Sequence, residues 1–159
     1  MTRSARNTRR PTDFDPDSAV RSHELPIRVR YVECDPMGVV HHSVYPVWFE
    51  MGRTEMLRAT GGSYRAMEEA GAFLVVADLS IKFQLPARYD DELVLRTHLL
   101  DGSRARIRHG YELVRHPETS TEAAIAPEVL AVATTTIACV NDAGSLQAIP
   151  DAILAVLKA

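Results

Sequence analysis

The fold turns on one stretch: Tyr31-Val32-Glu33-Cys34-Asp35-Pro36-Met37-Gly38-Val39-Val40-His41-His42-Ser43-Val44-Tyr45. Before it, Leu25, Ile27, Val29 and Tyr31 alternate with Pro26, Arg28, Arg30 and Val32. A period of two predicts a strand running from Glu24 to Val32. After it, Tyr45, Trp48, Phe49, Gly52, Met56 and Ala59 recur at helical spacing. That pattern predicts a long amphipathic helix over Ser43–Thr60. Pro46 falls in its first turn, where a missing N–H costs nothing. Gly61-Gly62 closes it in the way glycine commonly ends helices. Between strand and helix, Cys34-Asp35-Pro36-Met37-Gly38 has the composition of a turn. Gly52 lies on the apolar stripe, at about 1 kcal/mol of helix propensity below alanine. The expected benefit is close approach to a sheet or another backbone.

Outward from there, Ser63–Ala70 reads as a short second helix. The rest reads as strands: Phe73–Leu85, Glu92–Leu100, and Ala105–Val114, where apolar and polar residues alternate. Asp101-Gly102 is a hairpin signal. Pro117–Pro127 is a polar loop. Val129–Val140 is apolar on both faces and is expected to be a central strand. Asn141–Gly144 is a turn and Asp151–Lys158 a short terminal helix. One strand, one long helix and four more strands make an α+β plan, a single sheet wrapping one helix.

Composition narrows the function classes. The chain has 159 residues, 46% apolar and 25% charged, with a net charge of -3. About 150 residues can bury roughly 68–70% of the unfolded surface, which is enough for one domain without staples. A pI near 6.1 gives no reason to expect nucleic acid as a partner. Cys34 and Cys139 are too few and too far apart for a disulfide framework or a thiolate zinc site, and they fit a reducing cytoplasm. No apolar run nears the roughly 18 residues of a membrane span. Residues 1–23 differ from the rest. Arg3, Arg6, Arg9 and Arg10 precede Asp13, Asp15 and Asp17, without the apolar segment of a secretory signal. They are expected to form a mostly disordered tail, with residues 24–159 as the domain.

The opening stretch is also where chemistry concentrates. It places a carboxylate, two imidazoles and a helix N-terminus within a dozen residues. A helix start offers unpaired N–H groups and a positive dipole end, which suit a developing oxyanion. Asp35-x-x-Gly38-x-Val40-x-His42-x-x-Tyr45, followed by Glu50, Arg53-Thr54-Glu55 and Leu57, resembles the hotdog-fold acyl-CoA thioesterases of the 4-hydroxybenzoyl-CoA thioesterase type. Ile81-Lys82-Phe83 and Pro86-Ala87-Arg88-Tyr89-Asp90-Asp91-Glu92-Leu93 fit that family as well, and the likeness covers Ile27 to Val140.

The resemblance implies an antiparallel sheet wrapped around the long helix, working as a homodimer and often as a dimer of dimers, hence a homotetramer. It implies hydrolysis of acyl-CoA in the cytoplasm with no metal or redox cofactor, coenzyme A being part of the substrate. It puts Asp35 in the place of the catalytic carboxylate, as nucleophile or general base, with amides near His42 polarising the thioester oxygen. The His42 side chain would orient substrate or water. Gly38, Val40, His41 and Tyr45 would shape the acyl pocket. His41, Val44 and Met37 depart from the residue types usual there, which bears on pocket shape.

Other readings stand beside these. Asp35-Pro36 also fits an ordinary turn. His41 and His42 with Asp35 could ligate a metal, although no third spaced histidine lies nearby. Glu50 could be a helix-borne catalytic carboxylate or simply pair with Arg53. Cys34, in a continuing strand, would face away from Asp35. Arg88 is the first candidate for the coenzyme A phosphates, ahead of Lys82, Arg104, Arg106 and Arg108. An acyl-carrier-protein thioesterase and a non-catalytic acyl-CoA binding protein are the alternative functions.

Overall fold

A computed structural model of the chain describes residues 12–116 and 126–158. The long helix, α1, spans Val44–Ala59, with Ser43 as its N-cap. Pro46 sits in the first turn as expected. At the other end, Gly62 N–H bonds to the Leu57 carbonyl and Gly61 N–H to that of Arg58, which satisfies carbonyls the helix leaves open. A short helix α2, Tyr64–Glu69, follows, with the Ser63 hydroxyl accepting from Ala66 N–H. The last helix, α3, spans Asp151–Lys158.

The strands are β1 (Arg21–Arg28), β2 (Phe73–Phe83), β3 (Glu92–Gly102), β4 (Ile107–Arg115), β5 (Glu128–Val140) and β6 (Leu146–Gln147). They form one antiparallel sheet in the order β1-β3-β4-β5-β2, with β6 pairing the end of β5. The two-residue β6 was not foreseen. β5 lies between β4 and β2, inside the sheet as its continuous apolar run predicts, and its Ala131, Ala133, Thr135, Ile137 and Cys139 are buried. Alternation sends Leu95, Thr97, Tyr111, Leu113, Ala133 and Thr135 to the face that carries α1. There Phe49 stacks on Tyr111 with ring centroids 4.7 Å apart. Trp48, Phe49, Met56 and Cys139 are buried, as expected of core residues.

Gly52 is where helix and sheet come closest. A methyl group there would meet Leu95 Cδ2 at 2.7 Å and press into Thr97 Oγ1. Leu95 and Thr97 are themselves fully buried and have nowhere to move. Overpacking a core costs about 1–3 kcal/mol, and alanine's better propensity returns about 1. With neither neighbour able to yield, the cost falls in the upper half of that range, about 2–3 kcal/mol, and Gly52→Ala is therefore expected to lose about 1–2 kcal/mol net in urea unfolding. An unchanged or higher midpoint would show that the helix can lift away.

Four expectations need correction. First, the predicted strand ends at Arg28, and Tyr31–Glu33 instead forms a 3₁₀ turn. Glu33 draws the chain round, since its carboxylate accepts from Arg30 N–H at 2.8 Å and from the Arg30 guanidinium at 2.9 Å. Second, the Asp101-Gly102 turn lies further on. Gly102 still pairs with Ile107 past an irregularity at Leu99–Asp101, and Ser103–Arg106 turn the chain. Third, the segment before Glu24 is not free of the domain. Residues 16–18 form a 3₁₀ turn, Val20 N–H bonds to the Leu99 carbonyl at 2.8 Å, and β1 begins at Arg21. Phe14 lies over Gly110, where a side chain would meet its ring at 2.7 Å, and its ring centroid is 5.5 Å from that of His98. His98 is fixed in turn by Ser22 Oγ at 2.7 Å and Glu112 at 3.0 Å. Fourth, Cys34 does not lie in a strand; it leaves the 3₁₀ turn and bridges to Val40. Residues 1–11, and 117–125 of the expected Pro117–Pro127 loop, lie outside the described residues.

Candidate active site

Cys34 and Val40 form an isolated antiparallel bridge that closes a small loop. Within it Asp35 N–H bonds to the Val39 carbonyl and Gly38 N–H to the Asp35 carbonyl, each at 2.9 Å. Gly38 has φ +72°, a left-handed conformation that glycine adopts without a Cβ clash. Asp35 Oδ1 accepts from Met37 N–H at 2.8 Å. One carboxylate oxygen is thus spent on orienting the group. The other, Oδ2, accepts no hydrogen bond among the described residues.

Three ties hold this loop against the body. Val40 N–H bonds to the Ala87 carbonyl at 2.8 Å, and His41 N–H to the Glu33 carbonyl at 2.9 Å. Glu33 Oε1 accepts from Trp48 Nε1 on α1 at 3.2 Å. Burial pushes the Glu33 carboxyl upward, but the Arg30 and Trp48 hydrogen bonds outweigh it and hold the group below the usual range. Glu33 is thus the positioning residue that sequence reasoning missed. Its signal was the i, i+3 spacing to Arg30, hidden inside an alternation that also fits a strand.

The loop delivers Asp35 to the rim of a cleft of about 340 Å³, lined by Asp35, Val40, His42, Tyr45, Phe83 and Leu85 among others. Val40, His41 and Val44 all have bonded N–H groups, whereas His42 N–H bonds to no group among the described residues. It stands at the N-terminal end of α1, where the helix dipole favours negative charge. Tyr45 is buried, its ring edge-on to Phe83 at 4.9 Å. Burial first, and the Asp91 charge after it, push its phenol above the ordinary range against the opposing Ala87 backbone. It shapes the wall and does not exchange protons near neutrality.

Of the other expected pocket residues, Gly38 turns the loop without lining the cleft. His41 lies outside, its ring 4.1 Å from that of His42 and its Nδ1 2.8 Å from Ser43 Oγ. Arg88 is exposed beyond Pro86, with its backbone N–H on Asp91. Arg106 and Arg108 face Asp101, and Arg104 faces Asp151, so these three serve surface ion pairs. Glu50 is exposed and stands 3.8 Å from Arg53. Among the described residues no three His, Cys, Asp or Glu side chains converge as metal ligands would. Nor is any described helix long and apolar enough to cross a membrane.

Comparison with known proteins places this geometry. Residues 29–157 match the thioesterase-like superfamily. A putative acyl-CoA thioesterase of Bacillus subtilis, YneP, is 37% identical over 87 residues, which cover 55% of this chain and 63% of that protein. A putative esterase of Aquifex aeolicus is 32% identical over 132 residues, covering 82% of this chain and 94% of that one. A crystal structure of a 4-hydroxybenzoyl-CoA thioesterase variant with 4-hydroxybenzoyl-CoA shares the fold at 21% identity and a TM-score of 0.73, covering 86% of this chain and 99% of that one. With the sheet wrapped on α1 and the match running from Val29 through α3, the chain belongs to the thioesterase-like superfamily and has the hotdog fold.

Proposed function

We propose that this protein hydrolyses acyl-CoA thioesters to a carboxylic acid and coenzyme A. The observation that carries the reading is the pairing of Asp35 with the unbonded His42 N–H on one cleft. The thioester oxygen accepts from His42 N–H, which holds the charge that develops as the carbonyl becomes tetrahedral; one such donor is worth about 10²–10³ in rate. Asp35 Oδ2 either takes a proton from the attacking water or itself attacks the carbonyl carbon. In both routes the C–S bond breaks, water supplies the new oxygen, and a proton ends on the departing sulfur. The His42 imidazole orients the water. Arg88, beyond the Pro86 rim, takes the coenzyme A phosphates as a charge-assisted partner.

The cleft is open along β2, an edge strand. Val75, Val76, Leu79 and Phe83 on β2, with Val47 and Met51 on α1, are exposed there. An apolar edge of this length is a template for pairing with another chain. We assign it to a second copy, making a homodimer that completes both clefts and can pair again into a tetramer. Cys34 and Cys139 are free, in keeping with a cytoplasmic protein.

The test is free-thiol release from butyryl-, decanoyl- and benzoyl-CoA and from acylated carrier protein, with the mass in solution measured alongside. Turnover of the CoA esters by a dimer or tetramer is expected. Binding without thiol release would make the protein an acyl-CoA binder, and faster turnover of the carrier-bound ester would reassign the substrate.

A further inference from the structure

Two large aromatic side chains project into solvent beside the Asp35 cleft. Tyr31 is 81% exposed and Tyr89 58%. Their ring centroids are 5.6 Å apart and the ring planes are nearly perpendicular, at 83°. Two rings that pair in the open leave apolar area uncovered, the mark of a binding surface. Neither ring lines the cleft, and the hydrolysis at Asp35 uses neither.

Both rings stand on pinned backbone. Tyr31 opens the 3₁₀ turn that Arg30 and Glu33 clasp, and Glu33 is held in turn by Trp48. Tyr89 sits at the corner of a tight turn over residues 88–91. Arg88 N–H bonds to Asp91 Oδ2 at 2.8 Å, Asp91 N–H returns to the Arg88 carbonyl at 3.2 Å, and Arg115 holds the Asp91 carboxylate at 2.9 Å. Asp90 N–H bonds to the Val29 carbonyl at 3.1 Å, which sews this turn to the backbone leading into Tyr31. Among the described residues, Asp90 alone is a non-glycine with a left-handed backbone, φ +68°. So rare a conformation persists only where its surroundings impose it. The two rings are a preformed pair.

The same turn joins the pair to the cleft. The Ala87 carbonyl accepts from Val40 N–H, and Val40 and Pro86 both line the cleft. From Pro86 to Tyr89 is three residues, at most about 11 Å of chain. Arg88 lies between them, exposed, and its guanidinium meets no carboxylate among the described residues. The acidic neighbours are already matched, since Arg28 pairs with Asp90 and Glu92, and Arg115 with Asp91.

An aromatic pair and one unmatched cation, a short step from a thioester site, suit the far end of coenzyme A. That end is an adenine whose ribose carries phosphates, tied to the thioester by the flexible pantetheine arm. The arm when extended is longer than the step from Pro86 to Tyr89, so it reaches. A purine is planar and stacks on a tyrosine face, while Arg88 takes the phosphates.

Resting on the thioesterase reading above, we infer that Tyr31 and Tyr89 clamp the adenine of coenzyme A. They bind the carrier end of the substrate and are indifferent to the acyl group.

The experiment compares butyryl-, decanoyl- and benzoyl-CoA with the matching S-acyl pantetheines, which keep the thioester and the arm but lack the nucleotide. The unaltered full chain is expected to prefer the CoA esters by about tenfold in kcat/KM. Tyr31→Ala and Tyr89→Ala should each raise KM for the CoA esters by about five- to tenfold, the worth of one base stacked on an aromatic ring, with kcat unchanged. Neither should alter turnover of the pantetheine esters. Tyr31→Phe keeps the ring and should behave as the unaltered protein does. Equal losses on both kinds of ester, or no loss on either, overturn the inference. So does an unaltered protein that turns over the pantetheine esters as fast as the CoA esters. Coenzyme A binding by titration calorimetry reads the clamp without turnover. There Tyr31→Ala should raise Kd by about five- to tenfold; an unchanged Kd, or no binding by the unaltered protein, overturns the clamp. If no ester releases thiol, the thioesterase reading falls alone when that shift in Kd is present, and both fall when it is absent.

Discussion

Asp35→Asn is expected to lower thiol release from acyl-CoA esters by about 10²–10⁴-fold, the range lost when a positioned acid–base group is removed. The turn should survive, because asparagine keeps an oxygen that can accept from Met37 N–H as Oδ1 does at 2.8 Å. The unbonded Oδ2 becomes an amide nitrogen, which can neither take a proton from water nor attack a carbonyl carbon. Substrate should still bind, since the His42 N–H and the cleft walls are untouched. The loss should therefore fall on kcat and leave KM nearly unchanged. The check is a steady-state thiol assay beside a thermal unfolding curve. A variant turning over within about tenfold of the unaltered protein would remove Asp35 from the reaction, and Glu50 would become the next carboxylate to test.

His109 carries the second large expectation, on stability. Burial, with the Arg53 charge adding to it, pushes its imidazole down to about 3. Tyr111 neighbours it on β4, Leu99 on β3 and Thr135 on β5. In the unfolded chain the same imidazole has its ordinary value of about 6.5. Between those two pH values the unfolded chain binds a proton that the folded chain refuses. This contribution is therefore fully in place above about pH 6.5 and is lost as pH falls, at about 1.4 kcal/mol per unit. At pH 4.5 the loss is about 3 kcal/mol. His109→Leu removes the proton site and should flatten the slope of urea stability between pH 6.5 and 4.5. Parallel slopes for the two proteins would show that the folded state accepts the proton after all. Glu33 is also held below the usual carboxylate range, so its contribution is lost only further down in pH and does not confuse this window.

How much of this the sequence discloses depends on how local each determinant is. α1 was readable to within a residue at each end, because its period, its first-turn proline and its closing glycines all lie inside the helix or beside it. The contact behind Gly52 was readable for the same reason: a glycine on an apolar helical stripe needs a physical excuse. The end of β1 was not, because Val29–Val32 continue the alternation while Arg30 and Glu33 pull the chain into a 3₁₀ turn. Nor was the ordering of residues 12–20, which depends on Gly110, far along the chain, leaving room for Phe14. The same division runs through the site. Asp35, His42 and Tyr45 could be read together because they share one turn and one helix start. Glu33, which ties the Asp35 loop to Trp48 on α1, reads alone as one step in an alternation.

The Phe14 socket has a practical consequence. Gly110, His98 and Glu112 lie on the opposite side of the sheet from α1, so the N-terminal strap departs from the back of the molecule. Anything anchored upstream of residue 12, whether a tag, a resin or a sensor surface, would tether the protein by its back. The Asp35 cleft and the β2 edge would then face the bulk liquid. A tether placed instead near β2, around Lys82, would stand in both.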